Sequence, residues 1–554
     1  MVLTGADIFA EVLVEQGVET LFGYPGGAVL NLYDALYKYS GKIRHIMTAH
    51  EQGAAHAADG YARATGKTGV VLATSGPGAT NLVTGIATAY MDSIPIVAIT
   101  GQVQSFLLGR DIFQEVDITG ATAPFVKNSY LVKDAAELPR IVKEAFYIAS
   151  SGRPGPVLID VPVDIQEQVL HKYTPCDSVN IRGYKPSREG NPKQIKRVSE
   201  TISSASRPLF VVGGGIFSAH ARTEIRKLSE LSGIPVVTTM MGLGALPTSH
   251  PMNLGMIGSF GHKSANMAMD QTDLVIMVGA RAGDRAIPSP DKVDSSAKTI
   301  HIDVDPAEVG KNVSATVPLV GDVKLVLQKL IEESPKADCS QWTSSLVNAA
   351  QEKKNQTAEK RENSIGPKRF MRELGSQLEK DAFVVADVGQ NQIWAAKHIP
   401  IQDGRFLTTG GLGTMGYSLP AAIGVKIAEP KRQTVVVCGD GSFQMMNNEL
   451  STLVSQGLDV KIILLNNRVL GMVNELQRIS HLHQFGVQMP ETPDYQMLSA
   501  SYGIKSRRIS HDSEMAAAIS EMLDYNGPYL LECMVSPDEG SKSLSWKEAE
   551  KCNK

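Results

Sequence analysis

The chain has 554 residues, 43% of them hydrophobic and 20% charged, with a formal net charge of -4. That length exceeds what one hydrophobic core organises and predicts three domains. The composition excludes a disordered chain, and the slight acidic balance argues against general binding to nucleic acid or an anionic membrane. The opening residues, MVLTGADIFAEVLVEQGV, read as an amphipathic helix capped by Thr4 rather than as a signal peptide. No apolar run reaches the length of a membrane span. Five cysteines at 176, 339, 438, 533 and 552 are scattered without CxxC spacing. They predict reduced thiols, in the cytoplasm or another reducing compartment, and no zinc site.

Strand-like runs alternate with helical patterns along the chain, which predicts parallel α/β architecture. Two polar stretches interrupt them: HKYTPCDSVNIRGYKPSREGNPKQ at 171–194, and a segment from EESPKADCSQW to a charged run around 352–362. Read as linkers, they divide the chain into blocks 1–170, 190–335 and 365–554.

In the first block, TAHEQGAAHAADGYAR places Glu51 as a lone acid before a small-residue helix. Alone, that reads as an acid favoured by the positive end of the helix. Next comes GYARATGKTGVVLATSGPGATNLVTGIATAYMDSIPIVAIT, in order an Ala/Gly-rich helix, an apolar strand, a Gly-x-Gly turn, a helix reaching Asp92 and another strand. In the middle block, FVVGGGI sets Gly213, Gly214 and Gly215 after a strand. The third block repeats the rhythm of the first through VVVCGDGSFQ, Asp459 and KIILLNN, so a duplicated α/β unit is the economical reading.

The sharpest chemistry lies in that third block. Val435 to Cys438 read as a buried parallel strand ending on Gly-Asp-Gly-Ser, and Asp440 falls at the carboxyl end of the strand, where open α/β sheets bind ligands. The strand at 462–465 ends on Asn466-Asn467, so two strand ends would present Asp440 and Asn467 to one place. An anionic and an amide oxygen suit a hard cation such as Mg²⁺, commonly shared with phosphate. Glycine-rich backbone at a helix start offers N–H donors to the phosphate oxygens.

This pairing of GDG with NN resembles the diphosphate and metal motif of the thiamine diphosphate (ThDP) enzymes. The resemblance implies Mg²⁺ held by Asp440, Asn467 and the backbone carbonyl of Val469, with diphosphate bound by Gly441 and Ser442. DVGQNQIWAA at 387–396, with Gly389, Gln390 and Asn391, resembles the other phosphate-contacting loop, Gln390 and Asn391 being its donors. Glu51 becomes the acid that hydrogen-bonds the aminopyrimidine N1′. Met415 in GGLGTMGYSLPAA becomes the wedge that keeps the cofactor bent, and the Gly413 carbonyl accepts from the 4′-amino group; outside the motif Met415 reads as plain core. Because Glu51 and GDG lie in different blocks, the family arrangement puts ThDP between two subunits of a homodimer or a dimer of dimers.

Over essentially its whole length the chain resembles the acetolactate synthase (acetohydroxyacid synthase) large catalytic subunits, through LFGYPGGAVLNLYDAL, GRDIFQEVDITG, SSGRPGPVLIDVP and GGLGTMGYSLPAAIG among others. The resemblance implies three doubly wound parallel-sheet domains, which bind pyrimidine, FAD and diphosphate in turn. It places Phe113 and Gln114 beside the reacting carbons and has Gly27 line the pocket through its backbone. FAD without a redox role is expected on Gly213, Gly214, Gly215, Arg281, Asp303 and Asp322; the rivals are an empty nucleotide fold or another adenine nucleotide. The implied reaction decarboxylates pyruvate with the cofactor as electron sink. The hydroxyethyl unit then joins a second 2-oxo acid, whose carboxylate Arg281 meets, giving 2-acetolactate for branched-chain amino-acid biosynthesis.

Three departures bear on the acceptor. The family's GARFDDRVTG reads GARAGDRAIPSP, Val163 stands where a lysine is usual, and Leu476 replaces a tryptophan. With Met256, Val163 and Leu476 are expected to shape the acceptor pocket, and a ketosugar, an aldehyde or a cyclic diketone stays open as the second substrate. The family also admits a regulatory small subunit as partner. A non-enzymatic homologue is the remaining rival, but it should have lost Glu51 or the metal pair, and neither is lost.

Overall fold

The computed structural model describes residues 3–171, 175–176, 178–354, 364–480 and 483–541. Three six-stranded sheets carry the architecture. The first runs, edge to edge, Arg44–Met47, Thr20–Tyr24, Gly69–Ala73, Ile96–Gln102, Val157–Pro162 and Asn128–Leu131, every pair parallel. The third runs Arg405–Leu407, Phe383–Ala386, Thr434–Gly439, Lys461–Asn466, Tyr529–Met534 and Lys505–Ile509, again all parallel. With the strands of each sheet numbered along the chain, both follow the order 2-1-3-4-6-5. This shared path accords with a duplicated unit. The middle sheet, Asn253–Met256, Val236–Thr238, Pro208–Val212, Leu274–Val278, Lys298–Asp303 and Val317–Val320, follows 3-2-1-4-5-6, the doubly wound order of dinucleotide-binding domains.

Helices cover both faces of the sheets, which is why their strands show no polar alternation. Val70 and Leu72 enter the core on one face of the first sheet, Val71 and Ala73 the core on the other. Val435 and Val437 part from Val436 and Cys438 in the same way. At the start, Thr4 caps the helix Gly5–Glu15 as its sequence suggests: its Oγ1 accepts from Asp7 N at 3.2 Å, and Asp7 Oδ2 accepts from Thr4 N at 3.0 Å.

The first and third domains meet through two small-residue helices, Glu51–Thr65 and Ser418–Ala428. A Cβ on Gly60 would sit 2.0 Å from the Ala421 carbonyl oxygen, and one on Gly424 1.9 Å from that of Ala57. Only glycine lets the two backbones approach this closely.

One segment read as a linker is something else. The helix Ser340–Lys354 inserts Trp342, Leu346 and Ala350 into the middle core beside Cys339, and Trp342 Nε1 donates to Pro208 O at 3.2 Å. The charged run falls mostly at 355–363, outside the described residues, as do parts of the first polar stretch and the tail from 542 on, with Cys552.

Candidate active site

Two strand ends of the third sheet build a buried polar corner. Strand Thr434–Gly439 delivers Asp440 into the first turn of the helix Asp440–Met446. Its neighbour Lys461–Asn466 is in register with it, Gly439 opposite Leu465, and delivers Asn467. Asp440 is 1% exposed. Among the described residues its oxygens accept from main-chain N–H groups alone, from Arg468 at 2.7 Å and Gly441 at 3.0 Å. Burial pushes its carboxyl up to about 6, against those backbone donors. Arg468 has a φ of +57°, a left-handed turn that non-glycine residues hold only where the surroundings enforce it. It swings the chain so that Val469 N reaches Asn467 Oδ1 at 3.2 Å. One carboxylate without a cationic partner among the described residues, one amide oxygen and the Val469 carbonyl fit a hard cation that prefers oxygen.

These groups share a cavity of about 1410 Å³ with Gly441, Ser442, Gly413, Met415 and the loop Gly389–Asn391. The side chains of Gln390 and Asn391, expected to donate to phosphate, are already engaged. Gln390 Nε2 donates to Glu475 Oε2 and to Glu539 O, each at 2.8 Å. Asn391 Nδ2 donates to Asp387 O at 2.7 Å and Val437 O at 3.2 Å. What remains for an anion is the main chain: Gly389, at a φ of +117°, leads into the helix Gln390–His398, whose first N–H groups have no partner within the helix.

The loop carrying Gly413 and Met415 is fixed from two sides. Buried Asp387 accepts from Gly416 N, Ser418 N and Ser418 Oγ at 3.1, 2.9 and 2.8 Å. From the first domain, Thr88 Oγ1 meets Thr414 Oγ1 at 2.7 Å.

A second cluster gathers at the carboxyl end of the first sheet, around its own switch point. Glu51 begins the helix Glu51–Thr65, is buried, and accepts from Asn81 Nδ2 at 2.9 Å. A Cβ on Gly78 would lie 3.3 Å from its Oε1. Gly76, in the same turn, faces Gln114, itself at a φ of +62°. Gly27 has open space where a side chain would be, and Phe113 is 85% exposed. None of Gly27, Glu51, Phe113 and Gln114 lines the cavity of the third domain. One chain therefore holds these two clusters apart.

The middle domain closes the other end of the cavity with Gly213, Gly214, Gly215, Arg281, Asp303 and Asp322. Gly213 and Gly215 serve the fold first: a Cβ on either would strike the Gly279–Ala280 loop, at 2.3 Å and 2.8 Å. Gly214, whose nearest neighbour is the Met241 side chain, is the glycine most open to a ligand. Burial pushes the Asp303 carboxyl up to about 6, while Asp322 caps the helix Val323–Glu333 through Leu325 N at 3.1 Å. Burial, and then Arg153, lower the proton affinity of Arg281, against the charges of Asp92, Glu308 and Asp303.

Comparison with known proteins decides the family. Residues 3–121, 195–330 and 387–533 match the family models described as thiamine pyrophosphate enzyme, N-terminal TPP binding domain, central domain and C-terminal TPP binding domain. The chain is 46% identical to an acetolactate synthase of Arthrospira platensis, over 97% of this chain and 95% of that one. It is 43% identical to the acetolactate synthase isozyme 3 large subunit of Escherichia coli K12, over 94% and 92%. With the acetolactate synthase large subunit of Lactococcus lactis the identity is 41%, over 97% and 93%.

The chain belongs to the acetolactate synthase family of ThDP enzymes.

Within that family frame, the chain does not bring its three expected acceptor residues together. Met256 is 1% exposed and lines the cavity. Leu476 is 48% exposed on the helix Gly471–Ser480 and outside the cavity lining, and Val163 begins a short helix at the end of the first sheet. Several residues that organise the site escaped the sequence reading: Asp387, Arg63, Glu449 and Glu475. So did Arg153, which crosses from the first domain to bond Glu308 at 2.7 Å and Asp305 at 3.2 Å. Asp92 alone had a signal, its matched place with Asp459 in the repeated unit. Among the described residues no helix is long and apolar enough to cross a membrane.

Proposed function

We propose that this chain condenses two molecules of pyruvate into 2-acetolactate and CO₂, the first step of a branched-chain amino-acid route, in a homo-oligomer whose cofactor sites are completed by a second copy. The carrying observation is the separation of the two half-sites: Asp440 and Asn467 line the cavity, and Glu51 does not. In this reading the blocks 1–170, 190–335 and 365–554 are pyrimidine-binding, nucleotide-binding and diphosphate-binding domains.

Bound ThDP would supply the electron sink for the carbon–carbon bond that breaks as pyruvate loses CO₂. Asp440, Asn467 and the Val469 carbonyl hold Mg²⁺; Gly441, Ser442 and the main chain from Gly389 to Asn391 hold the diphosphate. The Gly413 carbonyl orients the pyrimidine amino group, and Met415 presses on the ring system. Glu51 of the second copy holds a proton at the pyrimidine N1′, in a buried setting where its carboxyl is steered by Asn81. Gly27, Phe113 and Gln114 border the reacting carbons from the same side, Gln114 on a left-handed turn packed against Gly76.

FAD is the proposed occupant of the middle end. The cavity exceeds the roughly 300–1,000 Å³ of a single small-ligand pocket, and Gly214, Asp303 and Asp322 are placed for a dinucleotide. Arg281 lies among Arg153, Asp303 and Glu308, which favours the nucleotide over the acceptor carboxylate as its partner. Relatives named large subunits support a regulatory small subunit. Buried thiols at Cys339, Cys438 and Cys533 support a reducing compartment, the cytoplasm.

The test is product analysis after incubation with pyruvate, ThDP and Mg²⁺. One acetolactate per CO₂ is expected. CO₂ without acetolactate would move the proposal to a ketosugar, aldehyde or cyclic diketone acceptor.

A further inference from the structure

Glu449 belongs to the third domain, ending the short turn Asn447–Glu449 that follows the helix Asp440–Met446, yet its carboxylate serves the first. Oε2 accepts from Ala49 N at 3.2 Å and Oε1 from His50 N at 3.1 Å, while Thr452 Oγ1 donates to Oε2 at 2.7 Å. The residue is 0% exposed. No lysine, arginine or histidine among the described residues pairs with it, and burial raises its proton affinity against these three donors.

The first turn of the helix Glu51–Thr65 is shaped around this carboxylate. A Cβ on Gly53 would sit 2.1 Å from Oε1, so position 53 has no side chain to spare. His50 caps the helix, its Nδ1 accepting from Gln52 N at 3.1 Å. The positive end of the helix stabilises the buried charge. Glu51 is thus fixed at both ends, its backbone approach by Glu449 through the two preceding residues and its carboxyl tip by Asn81.

We propose that Glu449 is a positioning residue for Glu51, setting the direction in which that acid leaves the first domain. The proposal rests on the reading of Glu51 as the acid at the pyrimidine N1′. Because Glu449 lies a few residues beyond the Asp440 helix, it also ties one half-site of the chain to the other.

The experiment compares Glu449→Gln, Thr452→Val and Glu51→Gln in the full-length holoenzyme with ThDP and Mg²⁺. It reads the rate of exchange of the cofactor C2 proton by NMR, kcat, KM for pyruvate and ThDP affinity. Gln at 449 offers one acceptor oxygen to two N–H groups. It should slow C2 exchange and kcat together, by about 10²-fold for a misplacement of order 1 Å, while KM and ThDP affinity stay within about twofold. Thr452→Val removes one neutral donor to the Glu449 carboxylate without touching the helix directly, and should slow exchange about threefold to tenfold, the range of one hydrogen bond. It serves if Glu449→Gln fails to fold. A merely structural role would lower the melting temperature and leave exchange per folded holoenzyme unchanged. Wild-type exchange in both the Glu449 and Thr452 variants, with slow exchange in Glu51→Gln, overturns the role of Glu449 alone. Wild-type exchange in Glu51→Gln overturns the reading of Glu51 and this proposal with it.

Discussion

Asp92 of the first domain accepts the main-chain N–H of Gly411 at 2.8 Å, and that of Gly410 at 3.2 Å, in the loop of the third domain that carries Gly413 and Met415. Arg63 completes the contact, bonding Asp92 at 2.8 Å and Asp59 at 2.6 Å, and Tyr417 donates to Asp59 at 2.6 Å. Arg63 and both acids are almost fully buried. Removing one partner of such a network leaves an uncompensated charge and typically costs about 3–5 kcal/mol. Asp92→Ala should therefore lower stability by about that amount in urea denaturation and weaken ThDP binding by loosening the loop. Wild-type ThDP affinity in the folded variant would separate the loop from the cofactor.

Asp440→Ala and Asn467→Ala should each abolish metal-dependent ThDP binding. Each removes one oxygen from a small set, and even loss of a supporting partner typically costs about 10–100-fold in metal affinity. Titration of the apo-protein with ThDP at fixed Mg²⁺, by calorimetry, measures it. Unchanged affinity in either variant would remove that residue from the metal site.

Strand ends were the part of the site legible in the sequence, because a glycine-rich turn after an apolar run compresses the chemistry into four or five letters. Asp440 and Asn467 needed only the inference that their strands are neighbours, and they are. The residues that organise these letters were not legible. Glu449 meets His50, and Asp92 meets Gly411, across hundreds of residues and a domain boundary, and no local pattern reports such a contact. Gln390 and Asn391 show the converse: the letters promise donors, but competing acceptors at Glu475 and Asp387 take them. Trp342, Leu346 and Ala350 were a different kind of miss. Their spacing of four is a helical stripe, hidden by the threonine, serines and asparagine between.

Asp160 gives the fold a pH dependence. It is 1% exposed and burial pushes its carboxyl up to about 7, opposed by bonds from Thr100 Oγ1 at 2.7 Å and Gln102 Nε2 at 2.9 Å. Gln102 Nε2 also donates to Val116 O at 2.8 Å, just past Gln114. A carboxyl held above its unfolded value of 3.8 contributes stability that is complete below that value and is lost as pH rises through about 7. Between about pH 5 and 8, wild type should lose roughly 3 kcal/mol relative to Asp160→Asn, which has no proton to release. Parallel curves for the two proteins in urea would show that the carboxyl is not titrating there.

The purified protein should be yellow, with flavin absorbance that pyruvate turnover does not bleach. A colourless preparation whose activity does not rise on adding FAD would instead place another adenine nucleotide in the middle domain, testable with ADP by calorimetry.

The cavity of a single chain does not extend to Leu476. In the proposed oligomer, where a second copy would complete the acceptor pocket, leucine in place of an indole would remove an aromatic wall that separates acceptors by about 1–3 kcal/mol. Preference for 2-oxobutyrate over pyruvate should accordingly be weak, below about tenfold, in a competition assay that quantifies acetolactate against acetohydroxybutyrate in one tube. Strong preference for 2-oxobutyrate would locate selectivity elsewhere, with buried Met256 the first place to look.

The helix Glu51–Thr65 has twelve of its fifteen residues buried, and much of that cover comes from the helix Ser418–Ala428. On the ribosome the second helix emerges roughly 350 residues after the first, a wait of tens of seconds at about 5–20 residues per second. The middle sheet, its strands contiguous in the chain, can close on its own during that wait. The first sheet, also contiguous, can close too, but the alanine-rich face of its helix Glu51–Thr65 stays uncovered until the third domain arrives, and contacts of such long sequence separation form slowly even then. Each new chain therefore carries, for most of its synthesis, an apolar surface that its own third domain has yet to cover.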